Sequence, residues 1–388
     1  MLVARPRRPF LFIVGAVIAL TTPAAAYFPT YVWGAFPTID KAGSLLFYQE
    51  GVHWHILDAS DPAVRLIGVH LGHLWVTALF DTVLSPFAAM NAHALLNLCL
   101  NWYCAFLLLR AVSGDSGAAL LLAFPFAMGL HIFRDINWYT IEKSGVYWIP
   151  LYAWTLWRAR TGTARWIGVA AAVYAAMFLY NAYWGVLGAA IGAAALLSGE
   201  RRVMLAVGAS AFAALPIILQ QARLMTGTEI ATPAAFAERA ALDSVTLWPP
   251  LWNRLEAWRA LDLIGISLAL FGLRANWRWF AIAAAFGALS LGPAFPPFAW
   301  ITAFVPGLWR FAKPEVFFEV TWLAILVAAS VTLAGLDLSR RVLATIMIAS
   351  WILSVRTHPV YPGFTMPVPV KMAPSWQQSV PGHATLPR

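Results

Sequence analysis

The residues best suited to chemistry in this chain are a few charged side chains beside long apolar runs. Asp40, in Phe36-Pro37-Thr38-Ile39-Asp40-Lys41, is a carboxylate just beyond the first apolar run. Such a group can act as general base to an acceptor hydroxyl or help to hold a divalent cation; the plain alternative is a solvated acid paired with Lys41. A second set lies in Gly129-Leu130-His131-Ile132-Phe133-Arg134-Asp135-Ile136-Asn137-Trp138-Tyr139-Thr140-Ile141-Glu142-Lys143. Here His131 and Arg134 can meet a polar headgroup, Trp138 and Tyr139 can stack on a sugar face, and Asp135 and Glu142 are further carboxylates. An aromatic belt with local ion pairs explains the same residues. A third set, Trp309-Arg310-Phe311-Ala312-Lys313, places a guanidinium fork and an ammonium where they suit a lipid phosphate, with snorkelling and pairing to Glu315 or Glu319 as the alternative. His53, His55, His70 and His73 have no Cys or carboxylate at matching spacing, so they read as surface or packing histidines rather than a zinc site.

The elements that must position these groups are membrane spans. Of the 388 residues, 61% are hydrophobic and 11% charged, and the mean hydropathy is +0.70. Soluble domains carry about 25% charged residues, so a water-soluble globular fold is excluded. Apolar runs near 10–33, 88–110, 117–133, 144–157, 166–180, 183–198, 203–221, 260–273, 278–293, 316–336 and 342–355 predict an all-α polytopic membrane protein. That is about 11 transmembrane helices, within a range of about 10 to 13. The first run follows Arg5, Arg7 and Arg8 and continues to Trp33, which favours a span over a cleaved leader. Cys99 and Cys104, five apart on one predicted helix, are a poor disulfide pair.

Charge orients the bundle. With the N-terminus in the cytoplasm, one set of short links carries Arg110, Arg158, Arg160, Arg165, Arg201, Arg202, Arg274, Arg278, Arg340 and Arg341 against Asp115, Glu200 and Asp337. This is the positive-inside pattern. It also accounts for the excess of 26 Lys and Arg over 17 Asp and Glu, so nucleic acid is not expected as a partner. Residues 1–356 then form one transmembrane domain with long periplasmic segments at 34–87, 222–259 and 294–315, followed by a Pro-rich periplasmic tail at 357–388. Within the first segment, residues 67–80 predict an amphipathic helix at the interface or packed on the bundle. Long links with polar residues on one face place function there.

Several segments together resemble the GT-C superfamily of polytopic glycosyltransferases, over about residues 10–340. They are the acid after the first span at Asp40, the long first outward loop with helices, Asn91-Ala92-His93-Ala94-Leu95-Leu96-Asn97-Leu98 opening a span, and Phe124-Pro125-Phe126-Ala127 through to Trp148-Ile149-Pro150-Leu151. Ala240-Ala241-Leu242-Asp243 through Trp248-Pro249 and Val305-Pro306-Gly307-Leu308-Trp309-Arg310-Phe311-Ala312-Lys313-Pro314-Glu315 extend the likeness. The resemblance implies a GT-C-like bundle that transfers a sugar from a polyprenyl-phosphate or polyprenyl-diphosphate donor to a glycan, lipid or protein acceptor on the periplasmic face of a bacterial inner membrane. It makes Asp40 the catalytic carboxylate and Arg310 the ligand of the carrier phosphate. Asp135 and Glu142 stand where metal-dependent members carry a further carboxylate, so Mg or Mn held with Asp40 is an open cofactor. The chain lacks a paired Asp-Glu at position 40, an Asp-x-Asp and a soluble C-terminal domain. A lipid or polysaccharide transporter or flippase would place ionisable or broken helices near the midplane, and a non-catalytic assembly partner would need no acid; tolerance of Asp40 substitution favours the latter.

Overall fold

The computed structural model describes residues 71–84, 86–127, 144–225, 260–290, 316–336, 342 and 345, and all regular structure among them is helical. In chain order the helices are α1 Leu71–Asp81, α2 Pro86–Ser113, α3 Ser116–Ala127, α4 Trp148–Thr161, α5 Arg165–Tyr180, α6 Ala182–Leu196, α7 Arg201–Met225, α8 Ala260–Phe271, α9 Trp277–Ser290 and α10 Phe317–Ala334. Three contain stretches long and apolar enough to cross a membrane: Ala92–Ser113 in α2, Arg201–Gln221 in α7 and Phe317–Ala334, which is α10. Together with the apolar α3, α5 and α6, they give the described part the character of a helical membrane protein. The predicted first span at 10–33 and last span at 342–355 lie outside the described residues, apart from Val342 and Thr345.

Local sequence explains the helix ends. Pro86 opens α2, where its missing N–H is no loss, and Gly114 follows the helix at φ +74°, a conformation that needs a residue without Cβ. Asp115 then caps α3 by accepting the Ala118 N–H at 2.6 Å. Gly199, at φ +67°, serves the turn between α6 and α7 in the same way. Asn181 alone links α5 to α6: its backbone is extended and its Oδ1 accepts the Tyr183 N–H at 2.8 Å. At 16 and 15 residues, α5 and α6 are about 24 and 23 Å long, shorter than a bilayer core of about 30 Å. They form a tight hairpin because Gly185 and Gly188 lie directly against the rings of Phe178 and Tyr174.

α4 differs in register from the apolar run that predicts it. The helix covers Trp148–Thr161 rather than 144–157. Ser144 is helical and residues 145–147 form a turn into α4, held by α2 as described below. At the other end Arg158 and Arg160 extend the helix, because cations in a last turn complement the helix dipole.

α2 packs on α3, α4 and α1; α5 packs on α7 and α4; and α10 packs on α9, α8, α3 and α2. Burial separates centre from periphery: 72% of the α10 stretch is buried, against 22% of the α7 stretch. α10 is accordingly buried along most of its length, with Leu326, Ala328, Ala329 and Ser330 fully buried. α7 exposes Met204, Leu205, Phe212, Leu215 and Leu219, an apolar face suited to lipid. The short links 114–115, 162–164 and 197–200 close hairpins at what we term the hairpin end; the residues preceding α2 and α4 belong to the opposite, loop end.

Candidate functional site: a buried polar face on α2

His93, Asn97 and Asn101 follow one another at four-residue spacing, which stacks them on one face of α2. All three are fully buried. Buried polar groups are costly in an apolar setting unless they find partners, so the partners define what this face is for. They come from the chain on either side of the loop end.

The Asn97 amide donates to Ser144 Oγ at 3.0 Å and to the Tyr180 hydroxyl at 3.2 Å. Asn101 donates to the Ser144 carbonyl at 2.8 Å, and its Oδ1 accepts the Tyr147 N–H at 2.7 Å. The Tyr180 hydroxyl lies 3.0 Å from His93 Nε2, and Thr77 Oγ1 lies 2.7 Å from His93 Nδ1. Thr77 in turn donates to the His73 carbonyl at 3.1 Å. The Tyr180 hydroxyl also lies 3.3 Å from Asn97 Oδ1, to which it can donate, so His93 sits between two hydroxyls, Tyr180 at Nε2 and Thr77 at Nδ1, and its tautomer sets the direction of each bond.

Aromatic rings wall the network. Tyr180 is the hub, with ring centroids 6.1 Å from His93, 6.0 Å from Tyr147, 5.5 Å from Trp148 and 6.2 Å from His73. Gly72 sets the distance between α1 and this hub: a Cβ there would fall 2.5 Å from Tyr180 Cα and 2.7 Å from the Leu179 carbonyl oxygen. Only glycine lets α1 come down far enough for Thr77 to reach His93. Beyond Asn181, Gln221 near the end of α7 donates to the Phe178 carbonyl at 2.8 Å and ties that helix to the same end.

The arrangement fixes chain segments more readily than it performs chemistry. His93, Asn97, Asn101 and Ser144 expose none of their surface and Thr77 exposes 2%, so these groups do not meet a diffusing substrate. What they hold is α1, which lies within the segment 34–87, and residues 144–147, which follow the link carrying Asp135 and Glu142. His93 and Asn97 are positioning residues.

The residues singled out from sequence, Asp40, His131, Arg134, Asp135, Trp138, Tyr139, Glu142, Trp309, Arg310 and Lys313, lie outside the described residues. Glu319, offered above as an ion-pair partner for Arg310 or Lys313, is buried in the first turn of α10. Among the described residues no group of three or more His, Cys, Asp or Glu side chains could hold a metal ion. His73, by sequence a surface or packing histidine, has its ring stacked 6.5 Å from His93. The sequence signal for the network was available: polar residues at i, i+4 and i+8 in an apolar span have to face other helices rather than lipid. The chain matches no family model and no curated protein sequence.

Proposed function

We propose that this chain is an integral-membrane glycosyltransferase of GT-C type, with about 11 spans. It moves a sugar from a polyprenyl-phosphate or polyprenyl-diphosphate donor to an acceptor on the periplasmic face of a bacterial inner membrane. The observation that carries the reading is the anchoring of α1 and residues 144–147 to one polar face of α2. α1 belongs to the same outward segment as Asp40, and residues 144–147 directly follow the link that bears Asp135 and Glu142. A protein that uses its outward links for chemistry needs them held on a rigid scaffold, and buried hydrogen bonds supply that rigidity.

In this reading Asp40 takes the proton from the acceptor hydroxyl. The acceptor oxygen forms a bond to the anomeric carbon as the bond from that carbon to the carrier phosphate breaks, and Arg310 with Lys313 holds the departing phosphate. A single displacement inverts the anomeric configuration. Trp309, Trp138 and Tyr139 supply faces for the sugar, and His131 and Arg134 supply polar contacts. Asp135 and Glu142 can complete a site for a divalent cation with Asp40. The test is release of labelled sugar from a polyprenyl-phosphate-sugar pool by the purified full chain, with and without a metal chelator. Donor-dependent transfer to an acceptor supports the reading, with loss on chelation assigning a cation; absence of transfer across donor and acceptor classes removes it.

A further inference from the structure

The opposite end of the bundle holds a second concentration of chemistry, unrelated to the proposed transfer site. Arg158, Arg160 and Arg165 surround the link between α4 and α5, and Arg201 and Arg202 follow the link between α6 and α7. The two links fold together: Arg202 donates to the Gly162 carbonyl at 2.7 Å, and Arg160 pairs with Glu200 at 3.3 Å. The five arginines at these two links thus have one carboxylate among them, Glu200, and it pairs with Arg160. Arg158 and Arg165 both lie against the Trp166 ring, at 4.9 and 5.8 Å from its centroid, and Arg158 Nε is buried with no acceptor. Among the described residues neither Arg165 nor Arg201 has a carboxylate partner.

Helix polarity makes the excess harder to explain as structure. Arg165 opens α5 with no acid in its first turn, and Arg201 and Arg202 open α7, where the one acid is Glu200 at the N-cap, already paired with Arg160. A helix N-terminus carries a partial positive charge and favours anions, so cations there are held against the local field. Ala164 offers no side-chain cap to α5. Topology sets the sign of the charge at this end, and the geometry leaves Arg165 and Arg201, both exposed, available to an external anion.

The surface beside it specifies what kind. One turn beyond Arg201, α7 exposes Met204 and Leu205; beyond Arg165, α5 exposes Val169; and Leu196 and Leu197 are exposed at the end of α6. Cations bordered by apolar, lipid-suited helix faces fit an amphiphile, with an anionic head on the arginines and acyl chains along the helices. A free phosphate would use only the first half of that surface. We propose that the hairpin end formed by the α4–α5 and α6–α7 links is a binding site for an anionic phospholipid, its phosphate held by Arg165, Arg201 and Arg158 beside Trp166.

The test uses the purified full chain in bilayers of phosphatidylcholine with or without phosphatidylglycerol, reading retained lipid by native mass spectrometry after gentle delipidation. The site predicts selective retention of phosphatidylglycerol, falling about fivefold for each arginine removed in R201Q and in R165Q/R201Q. Equal melting in phosphatidylcholine alone establishes that each variant is folded, and the single variant serves if the double does not fold. R223Q, in the last turn of α7 at the end opposite Arg201, removes a basic residue outside the patch and should leave retention unchanged. Equal retention by R201Q, equal loss in R223Q, or displacement of the lipid by inorganic phosphate at matched concentration each overturns the proposal. None of these readouts depends on sugar transfer.

Discussion

Asn97 is the residue through which two separate parts of the loop end are joined, since its single amide reaches both Ser144 and Tyr180. A lone interhelical hydrogen bond in a membrane contributes about 0.6 kcal/mol on average. Asn97→Leu removes more than one bond and leaves buried partners without a donor, so the larger cost of unsatisfied groups governs, about 1 to 3 kcal/mol. Thermal unfolding of the purified variant should show a clear loss of stability, whereas an unchanged transition would mean that the network does not hold this end together. At this scale the sequence was only partly legible. A carboxylate such as Asp40 stands out because charge is rare in this chain, but His93, Asn97 and Asn101 resemble ordinary tolerated polar residues until their common face is considered. Tyr180 could not be foreseen, because its meeting with His93 depends on how α5 ends against α2.

Among elements, α1 shows how one glycine sets the approach of a whole helix. A larger residue at Gly72 meets backbone atoms of Leu179 and Tyr180, which cannot rotate aside as a side chain can. Gly72→Val should therefore lift α1 from the bundle at a cost of about 1 to 3 kcal/mol. With Cys99 and Cys104 replaced by alanine, a cysteine at Val76, half-buried against the core, should react with maleimide much faster when Gly72 is valine. Equal rates would show that α1 does not rest on Tyr180. The helices themselves were the most legible feature, because apolar runs of this length have few alternatives and Gly114, Asp115, Asn181 and Gly199 mark their ends. The start of α4 was not legible: residues 145–147 continue an apolar run that reads as helix, whereas in the structure they form a turn that Asn101 holds at the Ser144 carbonyl and the Tyr147 N–H.

For the whole molecule, the arrangement implies two chemically different ends, a loop end built on buried hydrogen bonds and a hairpin end rich in arginine. Positive charge is retained on the cytoplasmic side, so the two ends should lie on opposite sides of the membrane. Single cysteines at Val83 and Ser198, both exposed, should be labelled by a membrane-impermeant reagent from opposite sides of sealed vesicles, and labelling from the same side would refute this orientation. Sidedness matters because Asp40 is assigned to the face where the lipid-linked sugar is used. The most direct measurement of that assignment compares wild type with Asp40→Asn in transfer of labelled sugar from a polyprenyl-phosphate donor, after equal melting has established that both are folded. Loss of a general base lowers the rate about 100- to 10,000-fold, and this is the drop the account predicts. Transfer by Asp40→Asn at the wild-type rate would contradict it.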